Sequence, residues 1–188
     1  MSVFNKKYIG ILGGTFDPPH DGHIFISKYA LQRLNLIEVW WIVTKKNPLK
    51  FKSSNYKRRL ELVKEFLDCR KIKVIEIEEQ KNLYTIDTIY YLKEKFKTKK
   101  FIWLMGADNV EKLHLWKKWK DIFYNIPIAI FDRPSYSLNI TKSKALYFFR
   151  KARIKNIFSE NRKNFSLPMW SHISGLKNHK SSSQIRKK

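Results

Sequence analysis

Cys69 is the single cysteine among 188 residues, so no disulfide can form within the chain and a reducing compartment suits it. Acidic residues are scarce as well. There are 16 Asp and Glu against 39 Lys and Arg, a net charge of +23, which points to anionic partners without choosing among them. The cations are spread along the chain, denser only at 97–100, 150–155 and 186–188. A spread surplus is a weaker nucleic-acid signal than one basic face, and it reads equally as a solvated lysine-rich surface. No apolar run approaches the roughly 20 residues that span a bilayer, so no membrane partner is expected. Lys6 and Lys7 do precede an apolar stretch, 8–16. That stretch is glycine-rich, lacks a small-residue cleavage site and runs straight into Asp17-Pro18-Pro19, so it reads as a first buried strand of a cytoplasmic protein. Internal repeats, low-complexity segments and dividing linkers are also missing. The length fits a single domain over 1–188, with monomer and homodimer both open.

What is present is an alternation of short apolar runs and helical patterns. Strands are expected at 8–12, 38–43, 73–77, 101–105, 127–131 and 170–173. Helices are expected at 22–34, 55–67, 87–96, 107–123 (one piece or two) and 142–155. Near-continuous apolar strands alternating with helices predict an α/β fold, a doubly wound parallel sheet covered by helices on both faces. Ligands of such sheets bind beyond the carboxyl ends of the strands, at the topological switch point. The chemistry is therefore expected just after Leu12, Val43, Met105 and Phe131.

The block after the first strand is Gly13-Gly14-Thr15-Phe16-Asp17-Pro18-Pro19-His20-Asp21-Gly22-His23. Two glycines let the backbone turn tightly and approach a ligand. Backbone N–H groups here and at the next helix start can point at phosphate oxygens. His20 and His23 are three apart, which one helical turn brings to the same side. Two such donors beside phosphates can hold charge that grows during transfer. A plain turn with a capping and a surface histidine is the alternative reading. No third ligand is placed by the spacing, so no metal site is read for the pair.

This block resembles the signature of the H-x-G-H nucleotidyltransferases, and its full GGTFDPxHxGH form is similar to bacterial nicotinate-nucleotide adenylyltransferases. The resemblance implies a Rossmann-like fold, ATP with Mg²⁺, and direct transfer without a covalent enzyme intermediate. It makes His20 and His23 catalytic and places Gly13, Gly14, Thr15 and Phe16 with them against ATP. Later segments resemble the same branch. Lys50, in Asn47-Pro48-Leu49-Lys50, would hold the mononucleotide phosphate, with Asp17 also on the mononucleotide side. Arg59, in the following helix, resembles a further family arginine, and no role is read for it. Thr85, in Tyr84-Thr85-Ile86-Asp87, would meet the carboxylate of the pyridine ring, although Thr85 or Asp87 also reads as a helix N-cap. Asp108, in Gly106-Ala107-Asp108, would bond a ribose hydroxyl, with a helix cap as its other reading. Trp116 would stack on the nicotinate ring, and Trp119 is left to the core. Arg133, in Asp132-Arg133-Pro134, would reach the substrate phosphate, with Ser135 where the family has glycine. At the end, 180–186 resembles I-S-S-T-x-I-R, with Lys180 for isoleucine and Ser183 for threonine. It makes Ser181, Ser182, Ser183 and Arg186 ligands of ATP, Arg186 being catalytic.

The implied reaction joins nicotinate mononucleotide to the AMP part of ATP, giving nicotinate adenine dinucleotide and pyrophosphate. Rival acceptors are nicotinamide mononucleotide and other phosphorylated compounds such as phosphopantetheine. A basic nucleic-acid-binding protein is the reading from a different class. It accounts for the +23 but leaves the ordered motifs unexplained, so nucleic acid is not the expected partner.

Overall fold

The computed structural model describes residues 8–45, 54–77, 84–132, 142–155, 157 and 166–174. Its strands are β1 (Tyr8–Gly14), β2 (Glu38–Val43), β3 (Ile72–Val74), β4 (Lys100–Gly106), β5 (Ile128–Phe131) and β6 (Trp170–Ile173). They form one sheet in the order β3-β2-β1-β4-β5-β6, with every neighbouring pair parallel. The order reverses between β1 and β4, which makes the carboxyl end of that pair the switch point of a Rossmann-like α/β fold.

The helices are α1 (Asp21–Arg33), α2 (Tyr56–Phe66), α3 (Thr85–Lys95), α4 (Trp119–Asn125) and α5 (Lys144–Phe148). They cover two separate cores, and the strands explain why. Along β2, Trp40 and Ile42 enter one core while Val39, Trp41 and Val43 enter the other. The same alternation runs through β4, with Phe101, Trp103 and Met105 on one side and Ile102 and Leu104 on the other. Successive strand side chains point to opposite faces, so a run buried on both faces reads as unbroken apolar sequence. Ile26 and Ala30 of α1 with Leu60 and Val63 of α2 fill one core. Ile86, Ile89 and Leu92 of α3 fill the other, with Ile122 and Phe123 of α4 and Leu146 of α5.

Three expected elements come out differently. The expected helix at 142–155 is only α5 followed by a 3-10 turn, Arg150–Ala152. There the sheet edge competes with the helix: Trp170 Nε1 donates to the Phe149 carbonyl, and Ile154 N donates to the Trp170 carbonyl. Residues 107–123 form 3-10 turns at Ala107–Asn109 and Leu113–Leu115 before α4, with Lys118 in the left-handed region at φ 48°. Trp116 is extended there (ψ 146°), so Trp116 and Trp119 do not share one helix face. β3 is shorter than 73–77, because it pairs only with Val39–Trp41 at the sheet edge.

Candidate active site

The switch point is built from β1, α1 and the chain just beyond β2 and β4. Gly13 is required by packing, since a Cβ would lie 2.6 Å from the Trp103 ring on β4. After β1 the backbone turns through Phe16, whose φ of 46° is left-handed. The Phe16 ring is 1% exposed and stacks on Trp41, centroids 4.7 Å apart. Any contact of Phe16 with a ligand is therefore through its backbone. His23 lies across that stack, 4.7 Å from the Phe16 ring and 5.7 Å from Trp41.

His20 is the N-cap of α1, an unusual residue for that position. Its Nδ1 accepts from Gly22 N at 3.0 Å, and His23 Nδ1 accepts from His20 N at 3.2 Å. An Nδ1 that accepts carries no proton, so in these bonds each imidazole is the neutral tautomer protonated at Nε2. The two rings are 3.8 Å apart between centroids, and His20 is 3% exposed. Below them, the His23 carbonyl accepts from Ser27 Oγ, and Ser27 Oγ accepts from Trp41 Nε1. The sequence places two histidines at a helix start. The fold orients both rings through their Nδ1 bonds and sets His23 against the Phe16–Trp41 stack, at the positive end of a helix dipole.

Asp17 is tied back to the start of α2, its carboxylate accepting from Ser54 N (3.1 Å) and Ser54 Oγ (2.7 Å). Beyond β4, a Cβ on Gly106 would collide with the Asp108 carboxylate, so that side chain leans over Gly106 toward Ile26 of α1. Asp108 lies inside a 3-10 turn whose N-cap is Gly106, so it is not the cap. The cap reading of Thr85 or Asp87 also fails: Tyr84 is the N-cap of α3, without a side-chain bond, and Thr85 is the first helical residue. The start of α3 faces the 3-10 segment, with Lys117 Nζ 4.4 Å from the Tyr84 ring centroid and 3.7 Å from Asp87. Tyr84 and Trp116, both partly buried, pack on the same core. The start of α3 and the 3-10 segment carrying Trp116 thus meet through Lys117, and Asp108 lies against Gly106 on the side of Ile26. Lys50, Arg133, Ser181, Ser182, Ser183 and Arg186 lie outside the described residues.

Two groups at this edge have no role in the sequence reading. His172 on β6 lies 3.9 Å from Asp132, its Nε2 buried without a hydrogen bond among the described residues. Burial pushes its pKa down, against the pull of Asp132. The second is Arg59 of α2, fully buried. The signal for it was available, because Arg59 and Val63 are four apart on the inward face of α2, whereas Lys57 and Arg58 are exposed.

A Gly-Gly turn, two Nε2–H imidazoles and a helix N-terminus at the switch point of a 3-2-1-4-5-6 sheet define a nucleotide-binding transferase class. Residues 11–188 match the model of the cytidylyltransferase-like family. A protein named "Probable nicotinate-nucleotide adenylyltransferase" from Ruegeria sp. (strain TM1040) is 36% identical over 182 residues, covering 96% of both chains. Its counterpart from Mesorhizobium japonicum is 37% identical, covering 95% of this chain and 93% of the relative. The fold is similar to that of Plasmodium falciparum nicotinic acid mononucleotide adenylyltransferase complexed with NaAD, with TM-score 0.71 and 17% identity over 96% of this chain and 83% of that one. The chain belongs to the nicotinate-nucleotide adenylyltransferase family.

Proposed function

We propose that this enzyme transfers the adenylyl group of ATP to nicotinate mononucleotide, releasing pyrophosphate and forming nicotinate adenine dinucleotide for NAD biosynthesis in the cytoplasm. The observation that carries the mechanism is the paired Nδ1 acceptance of His20 and His23, which leaves Nε2–H as the donor of each ring. The attacking group is the mononucleotide phosphate, already anionic at neutral pH, so no general base is required. Catalysis consists of alignment and of holding the charge that moves from the α-phosphorus to the leaving pyrophosphate. His20 and His23 donate to those oxygens. Gly13 and Gly14 let the backbone approach, and the N-terminus of α1 adds its dipole. Ser181, Ser182, Ser183 and Arg186 complete the ATP side, as the sequence motif indicates.

Among the described residues no three of His, Cys, Asp and Glu stand together as a metal site. Hydrated Mg²⁺ needs only one or two carboxylates besides the phosphates. A metal that arrives with ATP, held mostly by phosphates and water, would need no such cluster of side chains. Bound Mg²⁺ neutralises triphosphate charge.

On the acceptor side, Thr85 opens α3, whose N-cap Tyr84 makes no side-chain cap bond, so the N–H groups of that first turn suit a carboxylate. Trp116 offers a half-buried ring packed on the same core as Tyr84. Asp108 takes the ribose, and Lys50, Asp17 and Arg133 serve the mononucleotide. Pyrophosphate release tests the acceptor class: with ATP and Mg²⁺, nicotinate mononucleotide is expected to give turnover and phosphopantetheine none. Turnover with phosphopantetheine at a similar rate would overturn it.

Trp116→Ala is expected to raise KM for the mononucleotide and leave that for ATP nearly unchanged. Base stacking on an aromatic ring contributes about 1–3 kcal/mol, so the rise is roughly tenfold or more. A purely structural tryptophan would behave differently, losing about 3–5 kcal/mol of stability with KM unmoved. Melting temperature and both KM values on one preparation separate the two.

A further inference from the structure

We propose that Arg59 is a positioning residue for this reaction: its guanidinium clamps the turn that carries His20 to the carboxyl end of β2 and the start of α2, and so sets the placement of the histidines. The proposal rests on the functional reading above for its kinetic consequence and on geometry alone for the clamp.

Among the described residues the guanidinium makes four hydrogen bonds, all to backbone carbonyls. Nη1 donates to Thr15 O (2.7 Å) and Thr44 O (2.9 Å), Nη2 to Lys45 O (3.0 Å) and Nε to Ser54 O (2.9 Å). Thr15 belongs to the turn after β1, Thr44 and Lys45 follow β2, and Ser54 leads into α2. One planar group therefore ties three loop ends together at the ligand edge of the sheet. The chain leaves this edge at Lys45 and returns at Ser54, and both points rest on the same side chain.

Arg59 is 1% exposed. A buried cation among neutral carbonyls is costly, and packing alone is served as well by an apolar side chain of similar volume. Asp17 is the opposite charge that favours its ionised form, and the Asp17 carboxylate is itself bonded to Ser54. Together they close a loop from the His20 turn through Asp17, Ser54 and Arg59 back to Thr15. Thr15 is next to Phe16, whose ring lies beneath His23. A shift at Thr15 is passed to the histidines through a stacked, closely packed floor with little free space. A lysine has three donors on one nitrogen and no planar fork, so it cannot reach carbonyls on three sides.

The test compares Arg59→Lys and Arg59→Met with Val63→Ala, which truncates a buried neighbour on the same helix without touching the loops. All are assayed well below their melting temperatures, with folded fraction checked by circular dichroism. Both Arg59 variants are expected to lose kcat by roughly 10- to 100-fold, as small misplacements of catalytic groups do, while Val63→Ala loses stability and keeps kcat within about twofold. The second readout needs no substrate. Nitrogen-15 imidazole spectra of His20 and His23 should show the Nε2–H tautomer in the parent and in Val63→Ala, and a mixed or shifted signal in Arg59→Lys. Parental kcat and unchanged histidine signals in Arg59→Lys would overturn the proposal. So would both Arg59 variants failing to fold while Val63→Ala folds, because the arginine would then hold the fold rather than the site. If the parent does not turn over nicotinate mononucleotide, the functional reading fails, and the histidine spectra still decide the clamp.

Discussion

His23→Ala will lower kcat by on the order of 10²-fold or more, with little change in KM for the mononucleotide, the signature of a lost preorganised donor to developing charge. His20→Ala should behave alike, because the two rings lie 3.8 Å apart and present the same tautomer. Each histidine also caps the start of α1, so a loss of about 1 kcal/mol in stability is expected alongside. His23→Asn separates the two effects. Asparagine can accept from His20 N, as His23 Nδ1 does, but carries no imidazole Nε2–H. Stability should return toward the parent while kcat stays low. Near-parental kcat in both alanine variants would remove the pair from the chemistry.

Removing residues 180–188 will abolish turnover and leave the melting temperature within a few degrees of the parent. The segment holds Ser181, Ser182, Ser183 and Arg186, three hydroxyls and a cation in the order of a phosphate-binding motif. None of the six strands extends beyond Ile173. The shortened chain thus keeps every strand and core residue among the described residues. Arg186→Ala is the point version, with a loss of roughly 10²-fold expected if the guanidinium meets the charge of the transferring phosphoryl group. Steady-state rates and thermal melts on the truncated protein are the check. Full activity after truncation would remove the motif from the site.

Much of the fold was legible because its strands are buried on both faces. β2 and β6 lie at the expected 38–43 and 170–173, and β2 is a compact apolar run after Glu38. The helices beyond β4 and β5 were not, because their ends are set by tertiary bonds. The Trp170 indole takes the Phe149 carbonyl, and a left-handed Lys118 redirects the chain before α4. At the site, the spacing of His20 and His23 was enough to bring them together. Their tautomer was not readable, since histidine is outside the usual N-cap residues and only the backbone shows which nitrogen accepts. The burial of Arg59 was legible from its spacing to Val63, but its carbonyl partners were not, because they depend on where the β1 and β2 loops meet. Part of the basic excess lies over aromatic rings, such as Lys120 over Phe148 and Arg150 over Tyr147, which suits cations to a surface with exposed aromatics.

The acceptor is tested most directly by competition. One reaction holds the enzyme, ATP, Mg²⁺ and equal concentrations of nicotinate and nicotinamide mononucleotides, and the two dinucleotides are resolved by mass at low conversion. Their ratio equals the ratio of kcat/KM for the two acceptors. The start of α3 at Thr85, whose N-cap Tyr84 makes no side-chain cap bond, and Trp116 on the same core predict an excess of nicotinate adenine dinucleotide. An equal or larger yield of the amide dinucleotide would contradict that reading of the pocket.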